Sequence, residues 1–110
     1  MRQPNREALE RAARLWREGA FWEVHEALEP AWMAARGEER LLLHGLIQLA
    51  AALEARRRGH ARGARANLAK ARAKWAALGF RYRGRDLRPF LEGCARALEG
   101  APAPPWPWED

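Results

Sequence analysis

The chain has a single cysteine, Cys94, which excludes an internal disulfide framework and any multi-cysteine zinc or iron–sulfur site. No apolar run approaches the roughly 18 residues of a membrane span. The opening MRQPNREALER is charged and polar, without the apolar segment of a signal peptide, so a cytosolic protein with no membrane partner is expected. Asn and Gln occur twice each, and two lysines stand beside eighteen arginines. Together with twenty-four alanines, this balance favours helix, is poor in thermolabile side chains and fits a GC-rich, thermophilic bacterial source. No stretch alternates with period two and no internal repeat is present, so neither half-buried strands nor a repeat array is expected.

What remains is a 110-residue, 12.5 kDa chain with 48% hydrophobic and 31% charged residues, a composition that folds rather than stays disordered. Folding a chain of this mass buries about two thirds of its unfolded surface, roughly 12,000 Å². One core is enough, and residues 1–99 are expected to form a single helical-bundle domain followed by a Pro/Trp-rich tail, residues 100–110.

Five stretches carry helical periodicity, which predicts an all-α bundle. The first runs from Asn5 to Glu18, with Leu9, Ala12, Ala13 and Trp16 on one stripe, Asn5 as the cap and Gly19 as the left-handed stop. The second, Phe21 to Ala35, carries Phe21, Val24, His25, Leu28 and Trp32 on one face and is expected to kink at Pro30, whose ring crowds the carbonyl of Glu26. The third, Glu38 to Arg58, is apolar nearly all round through LLLHGLIQLAAAL and therefore belongs at the centre. The fourth, His60 to Leu78, repeats Ala64, Leu68, Ala71, Trp75 and Leu78. The segment GFRYRGRD, residues 79–86, reads as a loop. Asp86 can cap a fifth helix to Glu99, with Pro89 in its first turn and Phe90, Leu91, Cys94 and Leu98 facing inward. Four prolines then enforce an extended tail in which Trp106 and Trp108 either dock on the bundle or end the chain loosely.

The segment FWEVHEALEPAW, residues 21–32, holds the most informative polar residues. At 100° per residue His25 falls within the apolar stripe, Glu29 at its edge one turn on, and Glu26 further out. An imidazole facing the core and met by a carboxylate is fixed in one tautomer and biased toward its charged form, against the effect of burial. His44 and Gln48, four apart on the third helix with Gly45 beside them, complete one cluster if that face meets the second helix. Three readings of this cluster stand side by side. It is a paired buried network that fixes helix register; or it lines a pocket and performs acid–base chemistry, with Glu26 or Glu29 as base and His25 as acid or orienter; or His25 and Glu29 begin a divalent-metal site. The metal reading is the least specific, because His25-Glu26-x-x-Glu29 replaces the second His of HExxH and no third ligand follows. His44 and His60 complete such a site only if the fold brings them close. The Glu-x-x-His pair of a ferritin-like di-iron site does not occur, and no cofactor is implied.

Charge is unevenly distributed. Residues 1–55 carry a net −2, residues 56–88 twelve Lys and Arg against one acid for a net +11, and residues 89–110 a net −3. Arg62, Arg65 and Arg72 fall together on the fourth helix away from its apolar stripe, Arg56 to Arg58 end the third, and Arg81, Arg83, Arg85 and Arg88 crowd the loop around Tyr82. Such a surface attracts an anionic small molecule, a nucleic acid or an acidic protein, with salt-sensitive affinity, and Tyr82 can stack on a base. A solvated arginine-rich face, partly serving helix C-termini, is the plainer reading. Six tryptophans also make a homodimer through an exposed aromatic patch worth testing by light scattering.

Taken in order, FWEVHEALEPAW, LLLHGLIQLAAAL, RGHARGARANLAKA and YRGRD resemble the bacterial and archaeal family called domain of unknown function 309, over about residues 15–92. The resemblance implies a small helical bundle whose matching polar positions are His25, Glu26, Glu29 and Gln48, with Trp32, Gly45, Gly59, Gly63, Tyr82, Gly84 and Asp86 as further pattern residues. His60 stands where that pattern has Asn. The resemblance brings no catalytic role. The expectation is a binding or interaction module with His25, Glu26, Glu29 and Gln48 flooring its site, His44 and Trp32 beside them, and Tyr82, Arg62, Arg65 and Arg72 offered to an anionic partner. The alternative is a small acid–base or metal-assisted enzyme using His25, Glu26 and Glu29.

Overall fold

The computed structural model describes residues 4–109; the first three residues of the charged opening and Asp110 of the tail lie outside them. Five helices follow in order, α1 (Pro4–Arg17), α2 (Phe21–Ala34), α3 (Gly37–Arg57), α4 (Ala61–Ala76) and α5 (Arg88–Ala97), with a two-stranded antiparallel hairpin, β1 (Arg81–Tyr82) and β2 (Arg85–Asp86), between α4 and α5. The all-α expectation holds, and α3 is the central helix. In α3, Leu42, Leu43, Leu46, Leu49, Ala50 and Leu53 are all buried, and α2, α4 and α5 each pack on it.

Helix ends follow backbone chemistry more than side-chain caps. Gly19 and Gly59 take positive φ, +74° and +81°, and the amide of the following residue bonds back to Leu15 and Ala55 respectively, at 2.9 and 2.8 Å, as a left-handed C-terminal turn requires. Asn5 does not cap α1: it lies inside the first turn, and its amide donates instead to the Glu39 carboxylate of α3. Asp86 sits one residue before the α5 cap position, Leu87, yet its Oδ1 accepts the Arg88 N–H at 3.0 Å and so does part of the expected work. α2 runs through Pro30 for a further turn without a break in the helix.

Two glycines are required by packing. A Cβ on Gly45 would lie 2.1 Å from Trp75 Nε1, and the Trp75 N–H, buried in the α3–α4 seam, donates to the Leu42 carbonyl at 3.3 Å. A Cβ on Gly93 would lie 2.6 Å from Pro104, so the bare face of α5 is the slot in which the tail sits. Trp16 Nε1 donates to the Pro104 carbonyl at 2.7 Å, Trp106 is buried against Trp16 and Phe90, and Arg17 pairs with Glu109 at 2.6 Å. The extended tail is therefore docked on the bundle.

The segment read as a loop after α4 contains the hairpin, with Arg81 opposite Asp86 and Tyr82 opposite Arg85. Strands of two residues are too short to display alternation, so the sequence pattern carried no sign of them. Cys94 is wholly buried, and burial alone pushes its thiol far above the ordinary range, as expected of an inert core residue.

Candidate functional site

On α2, Trp22, His25, Glu29 and Trp32 recur at spacings of three, four and three residues and so share one flank. His25 Nε2 lies 3.5 Å from Glu29 Oε2, with the imidazole 26% and the carboxylate 51% exposed. The pair read from the spacing is present, but at the edge of the core, because the stripe of α2 that is sealed runs through Val24, Leu28 and Ala31. The Trp22 ring stands edge-on to the imidazole, 5.1 Å between centroids at 83°. Glu26 points elsewhere: it is exposed and shares no hydrogen bond or ion pair with His25.

Two turns along α2, Trp32 meets α3. Its ring packs on His44 with centroids 4.5 Å apart, and the Arg40 guanidinium lies 4.7 Å from the same ring while donating to the Trp32 carbonyl at 2.9 Å. The expected single cluster is thus two contacts on one flank of α2, His25 with Glu29 at one end and Trp32 with His44 at the other. Among the described residues, no three His, Cys, Asp or Glu side chains gather at a metal-binding spacing.

Between those ends runs a half-exposed strip of α3. His44, Ala51 and Ala55 are partly exposed while Gln48, on the same side, is only 8% exposed. The opposite side of α3 carries the leucines of the core. On α4, Gly63, Asn67, Lys70 and Lys74 recur at helical spacing, and this flank faces the strip, since Lys74 and Lys70 both act on His44. Burial first, then Lys74, Arg40 and Lys70, hold the His44 imidazole below its ordinary pKa. Every charge acting on it is positive. Among the described residues three buried polar atoms have no protein partner, and they are His25 Nδ1, Trp32 Nε1 and Gln48 Oε1. All three belong to the flank of α2 and the strip of α3, whereas buried polar atoms in folded proteins are almost always paired.

The arginine-rich region divides into two groups. Arg72 pairs with Glu92 of α5 at 2.8 Å, and this bond raises its pKa; Arg88 pairs with Asp86 at 3.1 Å. Arg57 and Arg58 clamp Glu54, a carboxylate only 5% exposed, at 2.8 and 2.6 Å, and Arg56 donates to the Leu98 carbonyl. Arg72 and Arg56 thus tie α4 and α3 to α5, while Arg57, Arg58 and Arg88 hold local ends of the chain. Arg62 and Arg65 are exposed on α4. Tyr82 is half-buried in the hairpin, apart from the α2–α3–α4 face, with the Arg83 guanidinium 5.3 Å from its ring.

Sequence reasoning missed Glu54, Lys70 and Lys74. In LEARRR, Glu54 looks like one more charge at a helix end, although its spacing of three and four to Arg57 and Arg58 is the signal of an ion-paired clamp. Lys70 and Lys74 differ from every other cation of the chain in being lysine, and they sit on the flank of α4 opposite Arg65 and Arg72.

The fold and the face together define a small bundle in which three helices present one polar strip. The chain belongs to the family described as Domain of unknown function (DUF309), whose model matches residues 9–67 and so takes in α2, α3 and the start of α4. The hairpin residues Tyr82, Gly84 and Asp86 lie beyond that match. A conserved hypothetical protein from Thermus thermophilus, known from its crystal structure, is similar at 48% identity over 83% of this chain and 95% of its own, with a TM-score of 0.71. No curated protein matches. Among the described residues no helix is long and apolar enough to cross a membrane.

Proposed function

We propose that this protein is a cytosolic binding module and that its ligand face is the strip between α2 and α4, which takes a small anionic molecule. The observation that carries this reading is the set of unpartnered buried atoms beside a group of cations: Trp32 Nε1 is a donor without an acceptor, the Arg40 guanidinium lies over the Trp32 ring, and Lys70 and Lys74 of α4 act on the neighbouring His44. An anion bearing oxygen acceptors satisfies the indole N–H and the ammonium groups together. A donor group elsewhere on the ligand, such as a hydroxyl, serves Gln48 Oε1. His25 and Glu29 then form the far wall and orient the ligand.

Thermal unfolding at low ionic strength in the presence of inorganic phosphate, citrate and sugar phosphates tests the reading. A true ligand stabilises with the logarithm of its concentration above Kd, by about 2.7 kcal/mol at a hundred times its Kd, and the double variant Lys70→Ala/Lys74→Ala loses that gain without losing its fold. If none of these anions stabilises the protein, or the double variant responds as the parent does, the proposal fails.

A further inference from the structure

A second concave region lies on the other side of the molecule, where the hairpin meets α1 and the tail. One groove of about 1000 Å³ is lined in part by Leu9, Ala13, Tyr82, Arg83, Trp106 and Trp108. A smaller one of about 480 Å³ adjoins it, lined in part by Arg81, Arg83, Arg85 and Trp108. Arg83 and Trp108 belong to both, and form the ridge between an aromatic groove and an arginine-lined one.

Trp108 is a fixed platform. It packs on Trp106 with centroids 6.3 Å apart, Trp106 is itself buried against Trp16 and Phe90, and the turn is closed by the Glu109 amide on the Trp106 carbonyl at 2.9 Å. Yet Trp108 remains half-exposed and lines both grooves, so part of its ring is open to a ligand. Of the acids near the two grooves, Glu109 is ion-paired with Arg17, Glu10 with Arg6 and Asp86 with Arg88, and Arg81, opposite Asp86 in the hairpin, donates to the Gly84 carbonyl at 2.7 Å.

Arg83 itself occupies a costly position. The two-residue loop Arg83–Gly84 takes φ of +49° and +81°, a turn of the type in which Asn or Gly normally fills the first place. An L-residue with a long side chain is strained there, and strain retained at a turn tip points to a use for the side chain. The Arg83 guanidinium lies over the Tyr82 ring, which holds its plane while leaving N–H groups for an acceptor.

We propose that the hairpin and the tail form a second binding site, for an unpaired nucleobase carrying a phosphate, with the base stacked on Trp108 and the phosphate held by Arg83 and Arg81. An aromatic platform beside an arginine track is the arrangement by which single strands are bound without base readout. A free nucleotide and a single-stranded nucleic acid share this chemistry. A duplex does not, since its bases are stacked on one another.

The test uses the full chain with AMP and with an oligoadenylate of about eight nucleotides, read by fluorescence anisotropy and tryptophan quenching. Arg83→Asn suits the turn, so it keeps or raises thermal stability while weakening binding by about tenfold or more. Trp108→Ala weakens binding similarly, and Trp108→Phe restores most of it. Lys70→Ala/Lys74→Ala, on the opposite face, leaves it unchanged. AMP and the oligomer binding alike assign the site to nucleotides; binding of the oligomer alone assigns it to single strands, and either result supports the site. The proposal is overturned if neither binds at low ionic strength, if Arg83→Asn binds as the parent does, if a duplex binds as tightly as the single strand, or if polyglutamate displaces the oligomer as effectively as unlabelled oligomer.

Discussion

Trp75 and Trp32 both lean on α3, and they differ in what their indole N–H finds there. Trp75 is wholly buried, seated over Gly45, and donates to the Leu42 carbonyl. Trp32, on the other flank, is half-buried and its Nε1 is enclosed with no protein acceptor. The same contrast recurs between two buried polar residues of α3: Glu54 is met by two guanidinium groups, whereas Gln48 Oε1 has no partner. One side of the central helix has its hydrogen bonds complete within the protein. The other has donors and acceptors to spare, and it is on this side that the proposed ligand face lies.

This contrast makes sharp demands on mutagenesis. The largest effect belongs to the completed side: Gly45→Ala drives a methyl into the Trp75 ring and is expected to cost about 3 kcal/mol or more, seen as a fall of the chemical-denaturation midpoint. Next comes a matched pair. Trp75→Phe removes both volume and a used N–H and should cost about 2 kcal/mol, while Trp32→Phe should change stability by less than about 0.5 kcal/mol. Equal losses would erase the distinction between the two seams.

The pH dependence separates Glu54 from the strip. The Arg57 hydrogen bond, foremost, holds the Glu54 carboxyl below its ordinary 4.5. Its contribution is thus complete above that value and is lost as pH falls through the lower folded value. Glu54→Gln lacks this part of the acid transition. His44, held below its ordinary 6.5 by burial and neighbouring cations, adds a shallower loss that starts near that value on acidification, because the unfolded chain takes up the proton first. His44→Gln removes only that earlier part. Smallest of all is Gln48→Met, which exchanges an unpaired buried amide for an apolar side chain and should be neutral or stabilising by up to about 0.5 kcal/mol, while abolishing the ligand-induced stabilisation. Marked destabilisation by Gln48→Met would show that the amide is structural.

Much of this was legible in the sequence. The apolar period gave five helices, the run LLLHGLIQLAAAL gave the central one, and the spacing of His25 and Glu29 gave a pair that the structure contains. What stayed hidden depends on which flanks of different helices meet. Lys70 and Lys74 read as solvent charges until α4 is turned so that Trp75 faces Gly45, which brings both lysines beside His44. Glu26, already further out on the helical wheel, is expected to join from the side through its spacing of three to Glu29, yet it is exposed and shares no hydrogen bond or ion pair with His25. The hairpin escaped because Arg occupies a place where Asn would have announced the turn, and the tail because a bare glycine in α5 does not disclose what lies on it.

The clasp between Trp16 and Pro104 joins residues 88 positions apart, and that between Arg17 and Glu109 spans 92. Contacts of such sequence separation close the longest loops of the fold, so the cover over the Trp16 edge of α1 belongs to its non-local, slowly formed contacts, unlike the turn-by-turn hydrogen bonds within the helices.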